Sequence, residues 1–363
     1  MASSQQSNTT QAEEPIPSPS HLDGISYLYG HPLRNSLSPL LHRTIFDALG
    51  LNWAQIPLSV STPSSSESSS SAYSYTRSPP IQTFLAHTRS NPKFVGASVT
   101  MPWKVSIMPH LDALTEDAKR IGACNTIFVL EEKGGRVFVG TNTDCVGIRE
   151  ALLQNAPASN MSMGTSGVDY YRDKPALIIG GGGTARAAVY TLRRWLRCSR
   201  IYVVNRDRAE VEALLAEDRE RSLLSSSNEE GSMAELIPIT EPAEVQALEP
   251  PAAIVSGIPN YPPKTLEEIK ARAVIEAFLR HPSGKKGVIL EMCYHPVLWT
   301  EIAELAANAG WNVVLGTEAM IWQGLEQSRL WTGRDIVQVP GLVQKVKDVI
   351  AGAVTERERV EKL

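Results

Sequence analysis

The sequence predicts an α/β protein built from two units, on three observations. Short apolar runs alternate with segments of helical spacing along most of the chain. Near the middle, IIGGGGTARAA sets a glycine-rich turn between an apolar strand and a helix. After the last strand come two more helical segments, expected to return and cover the first unit.

In chain order, residues 1–24 are polar and lack the basic and apolar regions of a signal peptide, so they are expected to be disordered. ISYLYG is a strand ending at Gly30. In NSLSPLLH, Pro39 suits a helix start because its missing N–H would be unpaired there. Ser38 then reads as the N-cap, with Leu41, Ile45 and Leu49 recurring every four residues behind it. LNWAQIPLSV is a second strand. Residues 60–80 are serine-rich and too polar to pack, and read as a disordered insertion. FVGASVTMP is a strand leading to a helix near Trp103, and NTIFVLEE turns at Lys-Gly-Gly to return as RVFVGTNTD. This first unit covers residues 25–145.

The second unit, residues 146–316, opens with the helix VGIREALLQN and a polar insert, PASNMSMGTSGVDYYRD. Its strands are PALIIG, IYVVN, AAIVSGIP, KGVILEMCY and VVLG. Residues 215–234 read as an acidic, serine-containing insert, and Ile302, Leu305, Ala306 and Ala309 share one face of a helix. Residues 317–363 hold the closing helices, EAMIWQGLEQSRLW and VQKVKDVIAGAV.

With 363 residues and 42% hydrophobic content the chain can fill two cores. A net charge of −4 without Lys/Arg runs argues against nucleic acid, and no apolar run reaches the ~18 residues of a membrane span. Cys124, Cys145, Cys198 and Cys293 lack CxxC spacing and read as reduced thiols of a cytoplasmic protein; no metal is expected. Monomer and homodimer both remain open.

The glycine turn has chemistry of its own. Gly180, Gly182 and Ala185 make a GxGxxA pattern, which a dinucleotide fold uses for a tight turn, close approach to pyrophosphate and helix packing. Gly180, Gly181, Gly182, Gly183, Thr184 and Ala185 are therefore the candidate nucleotide cradle. Asn205, Arg206, Asp207 and Arg208 follow the next strand and bear on NAD against NADP. The arginines could pair with a 2′-phosphate; Asp207 would repel one or accept from a free ribose hydroxyl. The reading favours NAD.

Other polar residues gather at the carboxyl ends of strands, where open α/β sheets bind ligands. They are Thr100 and Lys104 in GASVTMPWK, Asn125 and Thr126 in IGACNTI, and Asp144 in GTNTDCVG. Singly, each has a bland explanation as solvated charge, turn residue or helix cap. Ser36 and Ser38 set two hydroxyls beside free backbone donors at a helix start, an arrangement that suits an anion.

HPLRNSLSPLLH, GASVTMPWK, IGACNTI, GTNTDCVG, GGGGTARAA, NRD, EMCYHP and QGLEQSRLWTG, in this order, resemble the shikimate/quinate dehydrogenase family over about residues 25–335. The likeness is nearest to its single-domain fungal-type members, since GASVTMP with Ser98 replaces a bacterial NVT pattern. The resemblance implies an N-terminal substrate-binding domain, a Rossmann-type dinucleotide-binding domain and C-terminal helices packing on the first. It implies NAD(P)-dependent oxidation of quinate to 3-dehydroquinate, or interconversion of shikimate and 3-dehydroshikimate, in quinate catabolism or the shikimate pathway to aromatic amino acids. By the same resemblance Lys104 and Asp144 form the catalytic dyad, and Ser36 and Ser38 hold the substrate carboxylate. Thr100, Asn125 and Gln323 would bond ring hydroxyls, with Tyr294 lining the pocket. His31, His42, His110 and His295 read as structural. The alternative is a catalytically silent metabolite sensor on the same fold, against which the intact Lys104, Asp144 and glycine turn argue. Three departures stand out: Asn35 ahead of the serines, Asp207 where NADP-using members carry Thr, and Glu318 where bacterial members often carry Gly.

Overall fold

The computed structural model describes residues 15–31, 33, 36–58, 78–157, 167–224, 234–294 and 297–361. Asn35 and His295 lie outside the described residues, as do 1–14, 59–77, 158–166 and 225–233.

The first sheet contains β1 (Gly24–Tyr29), β2 (Trp53–Pro57), β3 (Phe94–Val99), β4 (Ala113–Leu114), β5 (Thr126–Glu132) and β6 (Gly135–Thr141), in the order β2-β1-β3-β5-β6-β4. β2, β1 and β3 are parallel, while β5 and β6 form an antiparallel hairpin. β1 is buried at every position, as a central parallel strand covered on both faces must be. The hairpin pairs Glu132 with Gly135, whose φ of 121° is a glycine conformation that closes the two-residue Lys133–Gly134 loop. Helices α1 (Ser38–Ala48), α2 (Ile81–Ser90), α3 (Trp103–Ser106) and α4 (Glu116–Ile121) belong to this unit. Helix α5 (Asp144–Gln154) and the short α6 (Gly167–Tyr171) lead out of it.

The second sheet is wholly parallel: β7 (Ala176–Ile179), β8 (Arg200–Val204), β9 (Glu235–Pro238), β10 (Ala253–Ser256), β11 (Val288–Glu291) and β12 (Asn312–Leu315), ordered β12-β11-β10-β7-β8-β9. The strand order reverses between β7 and β10, the doubly wound arrangement that leaves a crevice at the carboxyl ends. Helices α7 (Gly183–Tyr190), α8 (Arg208–Leu224), α9 (Leu266–Leu279) and α10 (Glu301–Asn308) complete it.

Helices α11 (Gly316–Thr332) and α12 (Leu342–Glu361) return to the first unit. Met320, Ile321, Leu325, Leu342, Val346 and Ile350 pack on Leu37 and on Leu41 and Ile45 of α1. Trp331 lies over Gly96, where a Cβ would collide with the indole, and donates from Nε1 to Ile127 O at 3.0 Å. Helices α5 and α11 meet backbone to backbone, because a Cβ at Gly147 would overlap the Ala319 carbonyl. Among the described residues no helix is long and apolar enough to cross a membrane.

Several expectations are corrected by this packing. Residues 15–24 are not a disordered leader: Ile16 and Leu22 are buried, and the Tyr27 hydroxyl donates to Pro17 O at 2.7 Å. Residues 78–80 pack as well, because buried donors need acceptors there. Trp103 Nε1 donates to Ser78 Oγ and the Tyr29 hydroxyl to Pro79 O, both at 2.7 Å. Residues 215–224 belong to α8, where Glu217 and Asp218 pair with Arg186 and Arg193. The insert after α5 includes buried Tyr170 and Tyr171. Ser38 is not an N-cap: Leu37 is already αR, and Ser38 is the first helical residue, its N–H donating to Ser36 Oγ at 3.3 Å. Asp144 is likewise the first residue of α5 and not its cap.

Candidate active site

The carboxyl ends of β3 and β6 converge on α5 and α11 together with the amino end of β5. This is because β5 runs antiparallel to both and so carries Asn125 and Thr126 at its start, not at the carboxyl end that the sequence suggests. Lys104, on α3, donates from Nζ to Asp144 Oδ2, and the two side chains are only 15% and 4% exposed. A buried ion pair needs further hydrogen bonds to offset desolvation. Asn125 supplies one, donating from Nδ2 to Asp144 Oδ1 at 2.8 Å. The Asp144 backbone N–H is held by Asn142 Oδ1 at 3.0 Å. Asn125 Nδ2 also reaches Gln323 Oε1 at 3.4 Å, which brings α11 to the dyad. Thr100 stands at the end of β3 beside Gly30, its backbone N–H on Tyr29 O at 2.9 Å.

Ser36 and Ser38 lie at the start of α1, with the Tyr294 hydroxyl hydrogen-bonded to Ser36. Burial first, then the Asp144 charge, pushes the Tyr294 phenol up to about 12, so it stays protonated. Ser38 Oγ donates to Gln55 Oε1 at 2.7 Å. Glu318 bridges α11 and α12, accepting from Trp322 Nε1 and Lys347 Nζ.

The glycine turn borders the dyad. A Cβ built on Gly183 would stand 3.3 Å from Lys104 Cδ, so the lysine stem lies against the first turn of α7. Gly180 adopts φ 126° and donates to Val204 O, Gly182 caps α7 with open space at its Cβ position, Thr184 faces Gly257, and Ala185 is buried. These residues fit a dinucleotide: unblocked backbone N–H groups at a helix start, beside a parallel-sheet switch point. Beyond β8 lie two acidic side chains. Asp207 Oδ1 accepts from Ala209 and Glu210 backbone N–H and thus caps α8. The carboxylate beside the turn is that of Glu210, which accepts from Asn205 Nδ2 at 2.7 Å and borders Gly181. Arg206 pairs with Glu268 and Arg208 with Glu212. Among the described residues no cluster of His, Cys, Asp and Glu could hold a metal ion.

Sequence reasoning does not single out Gln55, Gln327 or Glu210. Gln327 follows Gln323 by one helical turn, a spacing that places both on one face of α11. Gln55 and Glu210 carry no comparable signal.

The fold is that of a two-domain, dinucleotide-binding oxidoreductase. Residues 28–127 match the family described as shikimate dehydrogenase substrate binding domain. The quinate dehydrogenase of Emericella nidulans is 57% identical over 349 residues, covering 95% of this chain and 99% of that protein. Shikimate 5-dehydrogenase from Thermus thermophilus, solved with NADP(H) and shikimate, superposes with a TM-score of 0.60 at 24% identity, over 90% of this chain and 99% of that one. Quinate dehydrogenase from Corynebacterium glutamicum, solved with NAD, gives 0.62 at 18% identity, over 90% and 99%. The chain belongs to the shikimate/quinate dehydrogenase family.

Proposed function

We propose that this protein is a nicotinamide-dependent dehydrogenase oxidising quinate to 3-dehydroquinate, with shikimate and 3-dehydroshikimate as a second substrate pair. The observation that carries this reading is the Lys104–Asp144 pair lying against Gly183, which sets a proton-transfer group beside the nucleotide turn. The likeness to the Emericella nidulans quinate dehydrogenase supports the choice of quinate.

When bound, the nicotinamide supplies the hydride acceptor. Lys104 takes the proton of the reacting hydroxyl at Nζ, and in the reverse direction returns it. Asp144, fixed on its other oxygen by Asn125, holds the lysine in place. Gln323, Asn125 and Thr100 orient the ring hydroxyls. Ser36, Ser38 and Tyr294 take the carboxylate. Charge around Asn205 supports NAD: both candidate arginines are engaged by carboxylates, while Glu210 faces the turn where a 2′-phosphate would be repelled.

Absorbance at 340 nm with quinate or shikimate, each offered NAD and NADP, tests the reading. Quinate with NAD is expected to give the highest kcat/KM. Lys104→Ala should lower kcat by roughly 10²-fold or more while substrate affinity changes little, and Ser36→Ala should chiefly raise KM. Saturable binding of the acid with no turnover in any combination would instead establish a metabolite sensor.

A further inference from the structure

Beneath the dyad runs a set of buried polar side chains that the chemistry above leaves unused. Gln55, Ser98 and Gln327 come from β2, β3 and α11, join Thr126 and Asn125, and none is more than 6% exposed. Such groups are costly to bury unless every one is hydrogen-bonded. Here they form a single chain whose orientation can be followed from one obligate donor, the Thr143 backbone N–H.

The Thr143 backbone N–H reaches Asn125 Oδ1 at 2.6 Å, so Asn125 must turn its Nδ2 to Asp144. Thr126 Oγ1 lies 2.7 Å from the same Oδ1 and turns its proton to that side, where the Thr143 hydroxyl also stands 3.1 Å from it and 3.2 Å from Oδ1. Thr126 therefore accepts from Gln327 Nε2, at 3.0 Å. Gln327 then presents Oε1 to its far side, where two donors meet: Ser98 Oγ at 2.8 Å and His42 Nε2 at 3.2 Å. Enforced polarity ends there, because that carbonyl remains satisfied if Ser98 leaves. As the chain stands, Ser98 donates to Gln327 and accepts from Gln55 Nε2 at 2.9 Å, while Gln55 Oε1 takes the Ser38 proton. Ser38 thus turns lone pairs to the cleft, which a carboxylate cannot use.

We propose that arrival of a substrate carboxylate reverses the half-chain Ser38–Gln55–Ser98, with Gln55 and His42 as the positioning residues that allow it. This rests on the reading of Ser38 as a carboxylate ligand. Ser38 turns its proton outward to the carboxylate, and the Gln55 amide turns over to donate Nε2 to Ser38 Oγ. Ser98 swings its proton to Gln55 Oε1, leaving His42 Nε2–H as the donor to Gln327. Every step is a rotation and no proton changes its owner. Gln327, Thr126, Asn125 and Asp144 keep their orientation, so the acid binds without disturbing the dyad. His42 is suited to this because burial pushes its pKa down to about 3. The neutral ring donates at Nε2 and accepts from Ser328 Oγ at Nδ1, 2.9 Å away.

The test is a double-mutant cycle on the full chain, with quinate titrated calorimetrically into the cofactor-free protein. His42→Phe keeps a ring beside Trp331 and removes the donor. It is expected to weaken quinate binding about ten-fold, the cost of a lost buried hydrogen bond, with NAD affinity unmoved. In a Ser38→Ala background the same change should add nothing, since no proton has to turn outward. Gln55→Met removes the inward acceptor of the Ser38 proton, so in the background that keeps Ser38 quinate binding should not weaken. A ten-fold loss there overturns the reversal, and this arm decides the matter if His42→Phe fails to fold. Equal weakening by His42→Phe in both backgrounds, or none in either, also overturns it. Quinate binding that depends on Ser36 but ignores Ser38→Ala sinks the reversal while leaving the proposed function standing. A wild-type protein that binds and oxidises neither acid ends both.

Discussion

Glu291 offers a stability prediction that can be worked through in numbers. It is the last residue of β11, 1% exposed, and its Oε1 accepts from Cys293 N–H at 3.1 Å. Oε2 finds no partner of good geometry among the described residues, although the Ser256 and Thr300 hydroxyls face the carboxyl. Desolvation dominates and raises its pKa from 4.5 to about 7. The folded protein therefore holds this proton more tightly than the unfolded chain. Its contribution to stability is complete below about pH 4.5 and is lost as pH rises through about 7. The gap between 4.5 and about 7, at ~1.36 kcal/mol per pH unit, amounts to roughly 3 kcal/mol. Glu291→Gln stays neutral and keeps an acceptor for Cys293, so it should remove that dependence. Urea unfolding followed by tryptophan fluorescence, from about pH 4.5 to about pH 8, should show the variant gaining roughly 3 kcal/mol on the wild type across the window. A difference that stays flat with pH would refute the assignment of a buried, proton-holding carboxyl.

Two further outcomes follow from single contacts. Glu210→Gln removes the carboxylate beside Gly181 and should raise the NADP-to-NAD ratio of kcat/KM about ten-fold or more, with a matching fall in the NADP Kd by fluorescence quenching; equal changes for both cofactors would discredit the charge argument. Gly147→Ala drives a methyl into the Ala319 carbonyl, where neither backbone can yield locally, and should cost about 1–3 kcal/mol in chemical unfolding. Because Gln323 lies one turn beyond Ala319, KM for the acid should rise as well; an unshifted unfolding midpoint would show that the helices can part without loss.

The two-unit organisation is legible in the sequence because its signals are local. A buried parallel strand must be apolar, a nucleotide turn must lack side chains, and a two-residue hairpin needs a glycine. GISYLY, IIGGGG and Lys133–Gly135 each announce themselves within a few residues. The dyad is readable only through resemblance, since Lys104 and Asp144 taken singly look like a surface charge and a helix cap. Composition misleads at Ser78–Pro80 because their value lies in acceptors for Tyr29 and Trp103, partners that a local stretch does not reveal.

By itself, then, the order of residues determined the strands other than β4 and β9, the glycine turn, the family and the small set of polar groups from which a site could be drawn. Only the folded chain decided that the Glu210 carboxylate borders Gly181, and that Gln327 links Ser98 to Thr126 across 229 and 201 positions. The reason is physical: backbone conformation answers to neighbours in sequence, whereas a buried hydrogen bond belongs to whichever side chains the packing of two sheets and a returning helix brings within about 3 Å of one another.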